Sequence, residues 1–137
     1  MARVKAREQF GRPLAEFQGL QWMLADMAIA LDAGRALIHR AARSGGDFPD
    51  KAQTAQAKVF AAEAANKITN DALQLFGAAG YSRNRPLERM VRDARMFTIS
   101  GGTAQVLRTQ IASTLLGRKL PQTRDGYRKE SGRAAAD

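Results

Sequence analysis

LQLFGAAGYSRNRPLERMVRDARMFTISGGTAQVLR, from Leu73 to Arg108, holds three helical segments and the two breaks between them. Its first residues close a long alanine-rich segment that begins near Lys51 and runs to Phe76. Gly77, Gly80 and Pro86 punctuate the next ten residues, and punctuation of that kind reads as a break. A shorter helix spans Leu87 to Phe97. The adjacent pair Gly101-Gly102 then separates it from a last helix whose apolar positions are Val106, Leu107, Ile111, Leu115 and Leu116. Thr103 stands where an N-cap belongs, and Gly117 can end the helix.

Working outward, the 137 residues are 26% charged and 45% hydrophobic, the balance of one ordinary globular domain. Ala, Leu, Arg, Gln and Met dominate, and these lose little rotamer freedom in a helix. Leu20, Met23, Leu24, Met27, Leu31 and Ile38 recur at three- and four-residue steps, with Gly34 between the last two. That spacing predicts one buried face on a helix ending near Arg43, with Gly34 admitting a neighbouring helix closely. SGGDFPD is a loop, and Asp50 caps the next helix. Pro13 suits the first turn of the helix before Arg43, and VKAREQFG reads as a helix end stopped by glycine. The expected fold is all-α: an antiparallel up-down bundle of four helices over residues 1–118. Residues 119–137 read as a basic, mobile tail.

The net charge is +9, and much of the excess lies in ARVKAREQFGR and GRKLPQTRDGYRKESGR at the two ends. This charge suits a phosphate-bearing partner, but terminal basic residues are commonly only solvating. Aromatics are sparse and not interleaved with the basic residues, so a dedicated nucleic-acid function is not expected. There is no cysteine and one histidine, His39. Disulfides, thiolate metal sites and multi-histidine metal sites are excluded. No apolar run is long enough to span a bilayer, and a cytoplasmic protein is expected.

Few residues offer chemistry of their own. Asp26 and Asp32 do not share a helix face, and Glu63 is flanked by alanines. Neither they nor Asp71 and Asp93 form a general acid/base pair. SGGT leads straight into the last helix, where the first turn's free N–H groups could meet an anion or a polarised carbonyl; a plain helix cap would look the same.

The ordered pieces REQFGRPLAEFQ, LADMA and the opening stretch together resemble the C-terminal helical domain of the FAD-dependent acyl-CoA dehydrogenases, over about Val4 to Gly117. The resemblance implies that most of the domain's first helix lies before Met1. It implies an enzyme that oxidises an acyl-CoA thioester to its α,β-enoyl form, with FAD lying across a subunit interface and a homo-oligomer, dimer or tetramer, as the working state. By position, Arg7 matches the arginine at the FAD pyrophosphate of the neighbouring subunit, a dianion that a guanidinium fork suits. Phe10, Phe17 and Gln18 match further cofactor contacts. Gln74, Leu75, Phe76, Gly77 and Ala78 match the stretch along the adenosine end, where the family usually has two glycines. Thr103 and Gln105 match residues at the flavin. Arg92, Asp93 and Arg95 match a motif of structural role.

In many members a glutamate just before the GT pair removes the α-proton. Here that position is Gly101, which has no side-chain proton acceptor, so no catalytic base is evident. Ser100, Gly101 and Gly102 are the expected substrate-side residues, and the Gly101 N–H keeps the role of polarising the thioester carbonyl. Two explanations stand. In some members the glutamate sits on the domain's first helix, here before Met1, and this is the preferred reading. Alternatively the lineage has lost dehydrogenation chemistry. Ser100 replaces a large aromatic, which suggests a long, branched or bulky acyl chain. Without a β-domain the isolated chain is expected to lack turnover and to bind FAD weakly or not at all. The alternative reading is a non-catalytic basic helical module that binds a protein or nucleic-acid partner.

Overall fold

The computed structural model describes residues 1–121. Helix α1 (Ala2–Ala6) leads into a minimal hairpin, β1 (Glu8–Gln9) with β2 (Arg12–Pro13), in which Glu8 faces Pro13 and Gln9 faces Arg12. A 3-10 turn at Leu14–Glu16 precedes α2 (Gln18–Ala42). Then come α3 (Lys51–Phe76), α4 (Ala78–Tyr81), α5 (Leu87–Phe97) and α6 (Ala104–Leu115). The fold is all-α apart from that hairpin. The long α3 is its spine and packs against α2, α5 and α6.

Two expectations near the start are corrected. The first helix stops at Ala6, not at the glycine. Phe10 and Gly11 both have positive φ, 52° and 78°, and they turn the chain back as a hairpin instead. Pro13 therefore lies in β2, and α2 begins five residues later, with Phe17 extended at its N-cap. The break after α3 also holds a single helical turn, α4. The predicted tail divides: Lys119, Leu120 and Pro121 lie beyond α6, and residues 122–137 fall outside the described region.

Alanine builds the core. Ala41, Ala55, Ala57, Val59, Ala62, Leu75, Ala94 and Ala104 are buried, and among the described residues no large side chain is fully enclosed. Small side chains let helices approach closely. Gly34 is the clearest case: the Phe60 ring of α3 lies 3.8 Å from where a Cβ would stand. On α2 Gly34 and Ala41 are buried and Leu37 is partly so, while Leu31 and Ile38, half exposed, line the clefts between α2 and α3. Asp50 caps α3 as expected, its Oδ1 accepting the Gln53 N–H at 2.8 Å. Thr103 caps α6, its Oγ1 accepting the Val106 N–H at 3.2 Å. Gly77 ends α3 at φ 59°, and Gly117 follows α6 at φ 62°.

Candidate functional site

The residues singled out by sequence fall into three places. The first is a cavity of about 360 Å³ at the C-terminal end of α3, lined by Arg3, Arg7, Gln9, Leu14, Leu20 and the run Gln74–Ala79. Local structure explains the assembly. Arg7 is the residue at which α1 ends, and its carbonyl accepts the Leu14 N–H at 2.8 Å, so the hairpin is tied beneath it. Opposite, Gly77 receives the end of α3, and its carbonyl accepts the N–H groups of Gly80 and Tyr81 at 2.8 and 3.3 Å. Gly80 is required here: a Cβ would stand 2.8 Å from Phe76 Cβ and 2.9 Å from the Leu73 carbonyl oxygen. The close approach in LFGAAGY is therefore at Gly80, and Ala78 is exposed with its methyl free.

The sequence reading missed Arg3. Its guanidinium lies 5.7 Å from the Phe76 ring centroid, Arg85 lies 5.6 Å from the same ring, and Arg3 Nη2 donates to the Phe76 carbonyl at 3.5 Å. Arg3 Nε is buried without a partner. Four-residue spacing to Arg7 on one helix face was the available signal. The cavity's side chains supply guanidinium and amide donors and no carboxylate. That donor set, with an orphaned guanidinium N–H, fits a phosphate-bearing group such as the FAD pyrophosphate.

The second place is the hairpin tip. Phe10 is 93% exposed, with its ring edge-on to Phe17 at a centroid distance of 6.4 Å. Arg12 stacks on Phe17 at 4.1 Å, and Gln18 opens α2 beside them, exposed. These residues form a surface group adjoining the first cavity through Gln9, not part of its lining.

The third is the turn between α5 and α6. Ser100 is exposed. Gly101 has φ 67° and Gly102 φ 88°, both in the left-handed region that side chains avoid. A Cβ on Gly101 would meet nothing within 4 Å, so the turn faces open space there. Gly101 lines a cavity of about 420 Å³ with Phe48, Lys51, Thr54, Lys58, Leu107 and Gln110. Two lysines and no carboxylate face it. Thr103 and Gln105 line a neighbouring cavity of about 200 Å³ with Glu63, Asn66, Arg95 and Thr98. Its carboxylate, Glu63, is paired with Arg108 at 2.7 Å. This third place and the first share no lining residue. Along α3, Asn66 and Gln74 are about 12 Å apart, at 1.5 Å per residue.

A larger, apolar cleft of about 500 Å³ runs between α2 and α3, lined by Ile38, Ala57, Ala61, Ala65 and Phe97 among others. It holds none of the residues assigned to cofactor or substrate, and size alone does not make it the site. Arg92 pairs with Glu88 at 3.6 Å on the surface of α5, and Ala94 is the member of RDAR that is buried. Among the described residues no group of three or more His, Cys, Asp or Glu could hold a metal, and no helix is long and apolar enough to cross a membrane.

Comparison with known proteins gives the frame for this geometry. The family model described as acyl-CoA dehydrogenase, C-terminal domain, matches residues 1–116. The chain is 68% identical over 129 residues to the 3-sulfinopropanoyl-CoA desulfinase of Advenella mimigardefordensis, covering 94% of this chain and 32% of that protein. It is 43% identical over 116 residues to the short-chain-specific acyl-CoA dehydrogenase of Clostridium acetobutylicum, covering 83% of this chain and 30% of that protein. The solved glutaryl-coenzyme A dehydrogenase–glutaryl-CoA complex superposes with a TM-score of 0.79 at 36% identity, over 85% of this chain and 30% of that one. The chain thus spans about a third of the length of the relatives it matches. The alternative of an unrelated basic helical module finds no support in these matches. The chain belongs to the acyl-CoA dehydrogenase family and corresponds to its C-terminal helical domain.

Proposed function

We propose that this chain forms the helical third of an FAD-containing enzyme that removes a sulfinate group from a short 3-sulfinoacyl-CoA thioester. The observation that carries the reading is residue 101. Where many members place a glutamate there is a glycine, and the cavity it opens into is faced by lysines and no carboxylate. Dehydrogenation needs an acceptor for the α-proton. Desulfination does not: the C–S bond at the β-carbon breaks, that carbon gains a proton, and water supplies the oxygen with which sulfur leaves as hydrogensulfite. No electron pair passes to a flavin.

The identity of 68% to a desulfinase, against 43% to a dehydrogenase, supports the same choice. This reading takes the lost-dehydrogenation explanation in place of a base relocated before Met1. It also replaces the long or branched acyl chain inferred from Ser100: the room beside Ser100 and Gly101 suits a compact anionic end.

The chain's own residues divide the work. The Gly101 N–H donates to the thioester carbonyl, an oxyanion-type contact. When bound, FAD supplies a second donor to that carbonyl from its ribityl chain. Thr103 and Gln105 hold the flavin end. Arg7 and Gln74–Ala78, with Phe10, Phe17 and Gln18 beside them, hold the pyrophosphate and adenosine end of a neighbouring subunit's cofactor. With the pyrophosphate end given to a neighbouring subunit's cofactor, this division implies a homo-oligomer. Trp22 and Ile29, 63% and 68% exposed on α2, are large apolar groups that support burial against other protein surfaces.

The test is a chimera in which this chain replaces the matching third of the Advenella desulfinase. It is expected to be yellow and to release sulfite from 3-sulfinopropanoyl-CoA. A yellow chimera that bleaches with butanoyl-CoA and releases no sulfite overturns the proposal.

A further inference from the structure

Lys58 lies on α3, 44 residues before the Gly101–Gly102 turn, and its ammonium donates to the Gly102 carbonyl at 2.6 Å. We propose that Lys58 is a positioning residue for that turn: it holds the two glycines in the conformation that aims the Gly101 N–H. The inference rests on the reading that this N–H meets the thioester carbonyl.

The turn's two ends are anchored by the backbone. On the entering side the N–H groups of Ile99 and Ser100 both donate to the Met96 carbonyl, at 3.0 and 2.9 Å. On the leaving side the Ala104 N–H donates to the Thr98 carbonyl at 3.0 Å, and Thr103 caps α6. Between these anchors stand Gly101 and Gly102, at φ 67° and 88°. Glycine visits negative φ as readily as positive, so the covalent chain does not hold this geometry. Packing does not hold it at Gly101, where nothing lies within 4 Å of a would-be Cβ; at Gly102 the Leu107 side chain comes within 3.3 Å of that position and limits the turn on one side. The polar restraint between the anchors is the Gly102 carbonyl's bond to a full positive charge. Charge-assisted bonds are about twice as strong as neutral ones.

The donor is well placed for the task. Lys58 projects from the middle of the first half of α3, the helix against which α2, α5 and α6 all pack. Its side chain is half-buried and lines both the apolar cleft and the cavity that Gly101 faces. The ammonium is therefore referenced to the spine of the fold, while the carbonyl it holds lies in the turn between α5 and α6.

The experiment has two arms. In the full chain, ¹⁵N relaxation reads the order parameters of the Gly101 and Gly102 amides. Lys58→Met keeps the apolar stem and removes the donor. It is expected to drop those values from about 0.85 to below about 0.6, leaving α3 and α6 unchanged, and Lys58→Arg is expected to restore them. Unchanged order parameters in Lys58→Met, or no restoration by Lys58→Arg, overturn the proposal. In the desulfinase chimera Lys58→Met is expected to lower kcat for sulfite release about tenfold with flavin content and KM little changed, and Lys58→Arg to recover most of it. A turn set free with turnover unchanged leaves Lys58 as its holder and removes the role given to the Gly101 N–H.

Discussion

Two glycines that look alike in sequence should respond to alanine with opposite signs. At Gly80 an added Cβ would stand 2.8 Å from Phe76 Cβ and 2.9 Å from the Leu73 carbonyl oxygen. Ordinary carbon contacts are near 3.5–4.0 Å, so the last turn of α3 must move by several tenths of an ångström. One obstacle is backbone, which cannot rotate away. Overpacking of this kind costs about 1–3 kcal/mol. The helix preference for alanine, about 0.5–1 kcal/mol, offsets part of it. Gly80→Ala should therefore lose about 1–2 kcal/mol. At Gly34 the same methyl meets only the Phe60 ring, at 3.8 Å, an ordinary contact. With no clash the helix preference remains, and Gly34→Ala should gain about 0.5–1 kcal/mol. The difference between the variants is about 2 kcal/mol, or about 8 °C in Tm for a domain of this length. Urea and thermal unfolding followed by far-UV circular dichroism read it directly. Gly80 also shapes a cavity: displacement of Leu73–Phe76 moves Gln74, Leu75 and Phe76 relative to Arg7. The chimera carrying Gly80→Ala should lose flavin on gel filtration, and the one carrying Gly34→Ala should not. If Gly80→Ala is as stable as Gly34→Ala, the distance argument fails.

Other substitutions probe the site and its supports. Gly101→Ala meets no neighbour, so its cost is the left-handed backbone alone, about 1–2 kcal/mol in urea unfolding. A loss above about 3 kcal/mol would show an obstruction there. Gly101→Glu in the chimera puts a carboxylate beside the anionic substrate end and should cut sulfite release at least tenfold; unchanged release would separate residue 101 from the substrate. Asp50→Ala removes the cap on Gln53 and should cost about 1 kcal/mol, whereas Asp50→Asn should be near neutral by the same measurement. The Lys67 pKa is raised above 10.5, chiefly by its hydrogen bond to Asp71. A raised pKa means a contribution to stability that is complete below 10.5 and lost as pH climbs through the folded value. Asp71→Asn should remove that alkaline dependence, read as the difference between the two proteins' urea midpoints across that range.

The helices were legible because their signals are local. Periodicity, an aspartate before Lys51, a proline before Leu87 and a threonine before Ala104 each act within one turn. The hairpin was not, because Phe10 adopts positive φ, and nothing local marks a phenylalanine for that conformation. The cofactor-side residues came from matched motifs, which specify order along the chain and not neighbours in space. Arg3 was absent from those motifs, and Lys58 is 44 residues from the carbonyl it holds.

On the proposed function, the turn at Gly101 is where a family scaffold gives up one reaction and keeps its site. Removing a carboxylate at this position removes only a side chain. The backbone N–H stays, because it belongs to the turn, and the turn's anchors at Met96, Thr98 and Thr103 lie outside the missing group. Glycine also suits the φ of 67° better than glutamate does. On that reading, binding and polarisation of a thioester carbonyl survive at a glycine that has no side chain to take a proton. A substrate that carries its own leaving group on the β-carbon needs the first two and not the third. On the proposed function, residue 101 takes no proton, and a β-sulfinate held at the same turn leaves without a redox step.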